Sequence, residues 1–318
     1  MALFQTKKIQ SFIVFIIVLA AILWVFQDNF LKLLVFQKIA EQSDTTSEEV
    51  KENAYLEKID NFFLKEYSVE HILIHTIQAE TYYSYKNSPV QMFEVEVETF
   101  NQNQEAGVLL TSSRAEIRKS GEIFFNGDVK IQTKEGVSHE LGTESLIVLS
   151  DDGLIKSNKQ VIYLGEATRI ISEGMEMSID SDEMHLSGNV KIYEDSGVVI
   201  DTKNLYIDHK LGKKIYKSNE ETVYRSKDAI VTSESGVNID MNLQLINLLG
   251  KVEALTSDGG VLNSSDVLID QSDNGEVLKS NSPSYFKSNT VDIKAKKMHY
   301  DAVTKKLKLT KRVVAVYE

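Results

Sequence analysis

The stretch Met184-His-Leu-Ser-Gly-Asn-Val-Lys-Ile192 alternates along its length. Met184, Leu186, Gly188, Val190 and Ile192 fall on one side of an extended chain, and His185, Ser187, Asn189 and Lys191 fall on the other. Period-two alternation of apolar and polar residues is the pattern of a half-buried β-strand. The pattern recurs. One repeat earlier Ile123, Phe125, Gly127, Val129 and Ile131 share a face, and one repeat later Ile246, Leu248, Gly250, Val252 and Ala254 do so. In each copy the glycine stands on the apolar face, where it marks a kink, a bulge or a close backbone approach rather than a turn.

Two markers run in one register. Gly127-Asp128-Val129, Gly188-Asn189-Val190, Gly250-Lys251-Val252 and, with its glycine lost, Lys311-Arg312-Val313 are spaced 61, 62 and 61 residues apart. Lys156-Ser157-Asn158, Lys217-Ser218-Asn219 and Lys279-Ser280-Asn281 are spaced 61 and 62. Self-similarity at a fixed period is the signature of stacked units, each burying its apolar face against its neighbours. Within each unit the glycine strand is followed by a strand with paired apolar residues, Leu146 and Val148, Leu205 and Ile207, or Val267 and Ile269. A tyrosine follows the Lys-Ser-Asn segment each time: Tyr163, Tyr224 and Tyr285. Several short strands per unit make this an all-β design.

Rolled up, such units are lined with aliphatic residues and coated with charged ones. The lining in the first copy is Phe125, Val129, Ile131, Leu146 and Val148. In the second it is Met177, Ile179, Met184, Leu186, Val190 and Ile192 with Leu205 and Ile207, and in the third Leu248 and Val252. For any one of these residues a place in an ordinary core is the plain reading. Taken together they describe an elongated apolar groove.

Composition narrows the partners. With 35 Lys+Arg against 47 Asp+Glu the net charge is -12, which repels phosphate backbones and argues against nucleic acid. There is no cysteine, so disulfides, thiolate metal sites and Cys nucleophiles are excluded.

The N-terminal region reads as a membrane anchor. Residues Phe12 to Phe26 are fifteen apolar residues in a row, and Ile9 to Phe26 would span roughly 27 Å as a helix, close to a hydrocarbon core of about 30 Å. Lys7 and Lys8 precede the run and Asp28 follows it. The expectation is a cytoplasmic tail at 1–8, a single span at 9–28 and the remainder of the chain outside the membrane. A cleaved signal peptide is the alternative, but Trp24-Val25-Phe26-Gln27 offers no small-residue cleavage site. Residues 29–66 read as a stalk. Leu56, Ile59, Phe62 and Phe63 recur there at helical spacing behind a capping box at Thr46-Ser47-Glu48-Glu49, so a short amphipathic helix is expected. A solvated linker is the other reading.

A short start, an anchor, a stalk and alternating strands with Gly188-Asn189-Val190 resemble the LptC family. Gly174-Met175-Glu176-Met177 leading into Leu186-Ser187-Gly188-Asn189-Val190 is similar to that family's final strands, and the likeness covers about Lys7 to Tyr193. The chain then continues with two further units, which resemble LptA and the N-terminal part of LptD. The resemblance implies an open, twisted β-jellyroll, LptC-like over 67–193 and LptA-like over 194–318. It implies a periplasmic bridge that takes lipopolysaccharide from an inner-membrane ABC transporter, through its permease subunits, toward the outer membrane. It further implies edge-strand pairing with LptA or with the periplasmic domain of LptD. The segment Lys306 to Tyr317, with Leu307, Leu309, Val313 and Val316, alternates as such an edge would. Lys306, Lys308, Lys311 and Arg312 would guard it against self-pairing.

No catalytic constellation and no cofactor motif is legible. There is no phosphate-binding loop, nucleophile elbow or His-Glu-x-x-His. His71 and His75 share a face, but a metal pair is the weaker reading of them. The carboxylates of Asp180-Ser181-Asp182-Glu183 and Asp151-Asp152 read as turns. The expectation is a non-enzyme without metal. A parallel β-helix enzyme and a membrane-tethered structural β-solenoid are the rival architectures.

Overall fold

The computed structural model describes residues 55–68, 71–100, 106–134, 139–149, 154–178, 183–208, 214–256, 259–272 and 275–317. The expected anchor, the capping box, the turns at 150–153 and 179–182, and Ile179 lie outside these residues. The described residues form 24 strands and no helix. Every described ladder is antiparallel, which sets aside the parallel β-helix. No helix among them is long and apolar enough to cross a membrane. Packing separates two compact units. The first holds the described residues up to Glu166 with those from Gly174 to Ser178, and the second holds Ala167–Glu173 with those from Glu183 onward.

The first unit opens with six long strands, each paired with the next: β1 (Tyr55–Tyr67), β2 (Leu73–Tyr85), β3 (Val90–Phe100), β4 (Ala106–Ile117), β5 (Ile123–Thr133) and β6 (Glu140–Leu149). Then the ladder forks. The short strands β7 (Leu154–Ser157) and β8 (Val161–Leu164) both run antiparallel to β6, β7 against Ile147–Leu149 and β8 against Glu140–Thr143. Strand β9 (Thr168–Ser172) belongs to the second unit, while β10 (Gly174–Ser178) pairs with β7.

In the second unit the same fork appears twice. β11 (Glu183–Glu194) and β12 (Val199–Asp208) form a long hairpin, with β9 on the second half of β11. The two halves of β12 carry β13 (Ile215–Ser218) and β14 (Thr222–Arg225). These continue through β15 (Ala229–Ser233) and β16 (Val237–Asp240) onto the two halves of β17 (Leu245–Thr256). β17 pairs with β18 (Val261–Asp270), which forks into β19 (Val277–Ser280) and β20 (Ser284–Lys287). The last four strands are β21 (Val291–Ala295), β22 (Lys297–Asp301), β23 (Lys306–Thr310) and β24 (Val314–Tyr317), with β24 on β21 and β23 on β22.

A fold line runs across the long strands. In the first unit Asn61 (φ 55°), Glu94 (φ 48°) and Gly127 (φ 78°) take left-handed conformations in mid-strand. In the second, Gly188 (φ 75°), Asn204 (φ 49°), Gly250 (φ 70°) and Asp266 (φ 51°) do the same. Each register shift inside β5, β11 and β17 falls at its glycine. A bulge of this kind bends a strand sharply. Each long strand therefore contributes its first and second halves to two different walls, which face each other across the apolar interior. This is the jellyroll, and the repeating glycine is its crease.

Two expectations are corrected. Leu56, Ile59, Phe62 and Phe63 are not helical: they lie in β1, paired with β2 from Tyr55 to Tyr67. The Lys306–Tyr317 segment is not one strand, because Lys311 (φ 64°) and Arg312 (φ 53°) break it into β23 and β24 at the same crease.

Candidate functional site

The crease is held by hydroxyls. Ser218 of the Lys-Ser-Asn motif is buried, donates to the Lys203 carbonyl at 2.6 Å, and accepts from the Glu220 amide at 3.1 Å. Thr202 Oγ1 lies 2.9 Å from both Ser218 Oγ and Thr222 Oγ1. In the first unit Thr143 and Ser157 stand 2.9 Å apart in the same way. In the last repeat Ser264 and Ser284 stand 3.0 Å apart, while Ser280 donates to the Ser265 carbonyl at 2.7 Å. Bending a strand leaves carbonyls without ladder partners, and a buried unpaired carbonyl is costly. The serine answers that cost, which is why it repeats with the glycine.

The interior is apolar and filled. Phe125, Val129, Ile131, Leu146, Val148, Met177, Met184, Leu186, Val190, Ile192, Leu205, Ile207, Leu248 and Val252 are all at most 3% exposed. Every described residue assigned to the lining thus points into the space between the walls. Lys191, by contrast, is exposed and pairs with Asp201 at 3.2 Å. Gly127, Gly188 and Gly250 lie at the crease, where a Cβ on Gly188 would stand 2.2 Å from Glu173 Oε2.

Opposite the crease the walls end in free lips. In the second unit a cleft of about 1090 Å³ runs between them, lined from one wall by Tyr193, Glu194, Val198 and Ser226 and from the other by Ile239, Ile246, Gln271 and Glu276. Polar side chains cross it. Gln271 Nε2 donates to the Tyr224 hydroxyl at 3.2 Å, and the Ser226 hydroxyl donates to Glu276 Oε1 at 2.9 Å. Glu194 is hydrogen-bonded to Gln271, and Tyr216 to Thr168. Burial pushes the carboxyls of Glu194 and Glu276 above the ordinary range. It raises the Tyr224 hydroxyl and pushes that of Tyr216 up to about 12. Glu194, Gln271, Ser226 and Glu276 were not among the expected site residues. Glu194 alone had a legible signal, since it continues the inward face of Val190 and Ile192 where a polar residue is out of pattern.

The expected partner edge is exposed in part. Leu307 and Leu309 are half-buried in β23, whereas Val313 and Val316 are 49% and 59% exposed. All four residues of β24 are exposed, and its outer side has no strand partner among the described residues. His71 and His75 do not come together. His71 sits in the turn bonded to Ser68, while His75 is fully buried in β2 with its Nε2 at 3.1 Å from Glu66. No group of metal-holding side chains occurs among the described residues.

No curated protein matches the chain as a whole or in part. Residues 13–195 match the family described as lipopolysaccharide-assembly, LptC-related. The matched span carries the crease glycines Gly127 and Gly188, the first Lys-Ser-Asn segment and most of the expected lining. With more than half of its length in that match, the chain belongs to the LptC-related family of lipopolysaccharide-assembly proteins.

Proposed function

We propose that this chain is a bridge component that receives lipopolysaccharide from an inner-membrane ABC transporter and passes it between the walls of its jellyroll toward the outer membrane. The observation that carries the reading is the apolar lining of each unit, Phe125 to Val148 with Met177 in the first and Met184 to Val252 in the second, behind a charged exterior. Moving acyl chains through water costs about 0.8 kcal/mol per exposed methylene, and an aliphatic interior removes that cost. The chemistry is transfer by burial, with no bond made or broken, so the protein acts as a conduit rather than an enzyme.

On this reading residues 9–28 anchor the chain, with the bulk periplasmic, and the permease subunits load the N-terminal end. The repeats from Glu194 onward extend the path as a separate LptA would. The exposed strand β24, with Val314 and Val316, offers backbone groups to a strand of LptA or of the periplasmic domain of LptD. A photo-reactive amino acid in place of Ile192, which faces inward, should capture lipopolysaccharide in cells, and one in place of Lys191, which faces out, should not. Equal capture at both positions sinks the reading in favour of a structural β-roll.

A further inference from the structure

The interior is full of side chains, so an acyl chain can enter only if the walls part. They cannot part at the crease, where the strands are continuous and the buried hydroxyls of Thr202, Ser218 and Thr222 interlock. They can part at the lips, where only side chains join them. In the second unit those side chains form a row: Glu194 to Gln271, Gln271 to Tyr224, and Ser226 to Glu276.

We propose that the seam of the second unit is the port through which an acyl chain enters the roll, and that Gln271, Tyr224, Ser226 and Glu276 are the latch that holds it shut. The inference rests on the lipid-transport reading above. Three observations support it. The joined residues are far apart in sequence, 47 for Gln271 and Tyr224 and 50 for Ser226 and Glu276, so these bonds tie wall to wall and not neighbour to neighbour. At the same position in the first unit Tyr163 bonds within its own wall, to His139 at 3.0 Å, and in the last repeat the position is taken by Phe286, which carries no hydroxyl. The cleft along the seam has Ile239 and Ile246 at its floor, both at most 1% exposed, so parting the lips leads directly to aliphatic surface.

The latch is suited to reversal. Glu276 is a buried carboxyl with Asp228 near it and Glu194 is half-buried, and opening would return both to water, offsetting the bonds lost. A bound acyl chain then stabilises the open form by occupying the floor.

The chain has no cysteine, so Ser226→Cys with Glu276→Cys gives a unique thiol pair across the seam. The full chain, solubilised in detergent and carrying a photo-reactive residue in place of the inward-facing Val252, is incubated with lipopolysaccharide. Bridging the thiols with a short bis-methanethiosulfonate should lower capture about tenfold, by removing the competent open form, and reduction should restore it. Gln271→Ala, which loosens the row without a bridge, should capture faster than the parent. Capture in the reduced protein that the bridge leaves unchanged overturns the latch while leaving the transport reading standing. Absence of capture in both reduced and bridged protein overturns the transport reading, and the latch with it.

Discussion

The amide of Gly188 donates to the Asn204 side-chain oxygen at 3.1 Å, joining two residues that both hold left-handed backbone at the crease. Gly250 and Asp266 form the same pair at 2.9 Å one repeat later. A glycine supplies the conformation on one strand, and an Asn or Asp, which tolerates it better than other side chains, supplies it on the other. Gly188→Ala adds a Cβ against Glu173 and a backbone penalty, and should destabilise the fold by about 1–3 kcal/mol. Urea unfolding followed by circular dichroism reads the loss, and an unchanged midpoint contradicts the crease.

The last crease has no glycine. Lys311 stands 61 residues after Gly250 and holds φ 64°. Lys311→Gly should be neutral or stabilising by up to about 1 kcal/mol, whereas Gly250→Lys should cost at least that much. Paired unfolding curves on the two variants test the asymmetry.

Removing the crease hydroxyl should cost more than an exposed serine would. Ser218→Ala leaves the Lys203 carbonyl without its donor in a buried setting, for a loss of about 1–3 kcal/mol. Ser226→Ala, at the lip, should cost less and should not move the midpoint comparably.

Acid should act on the two units with opposite sign. His75 is buried and neutral, and burial holds its pKa near about 4 against an ordinary 6.5. The unfolded chain takes up that proton first, so His75 contributes stability that is full above pH 6.5 and declines as the pH falls toward about 4. His75→Phe should flatten that decline in the midpoint of β1–β6, as read by hydrogen exchange of β2 amides.

Glu276 behaves in the reverse sense. Burial, the largest influence, raises its carboxyl above the ordinary value, so the folded protein keeps the proton to higher pH than the unfolded chain does. Stability of the second unit should rise as pH drops from neutral toward the ordinary carboxyl range and fall as pH rises through the raised value. Glu276→Gln should remove that slope, and an unaltered slope would assign it to another group.

Much of this was legible in the sequence. The alternation of Met184 to Ile192 and the spacing of Gly188 identified strand, inward face and bulge, because burial on one side of a pleat imposes period two. The misreading at β1 has a definite cause. Ile59 points inward ahead of the crease and Phe62 and Leu64 point inward after it, with Asn61 at φ 55° absorbing one residue between them. A strand that skips a residue at a bend shows a spacing of three, which imitates a helix. Phe63, which completed the helical pattern, points outward and is 52% exposed. The seam row was hidden for a different reason: Ser226 and Glu276 meet only because two walls close on each other, and no local pattern encodes that.

Because each repeat brings its own buried hydroxyls to its own bend, no repeat depends on another to satisfy its backbone there. A gene encoding such a chain can grow by duplicating one segment of about sixty residues, with no compensating change elsewhere. Differences in length are then matters of copy number, and adding or losing a repeat becomes the cheapest evolutionary adjustment this architecture allows.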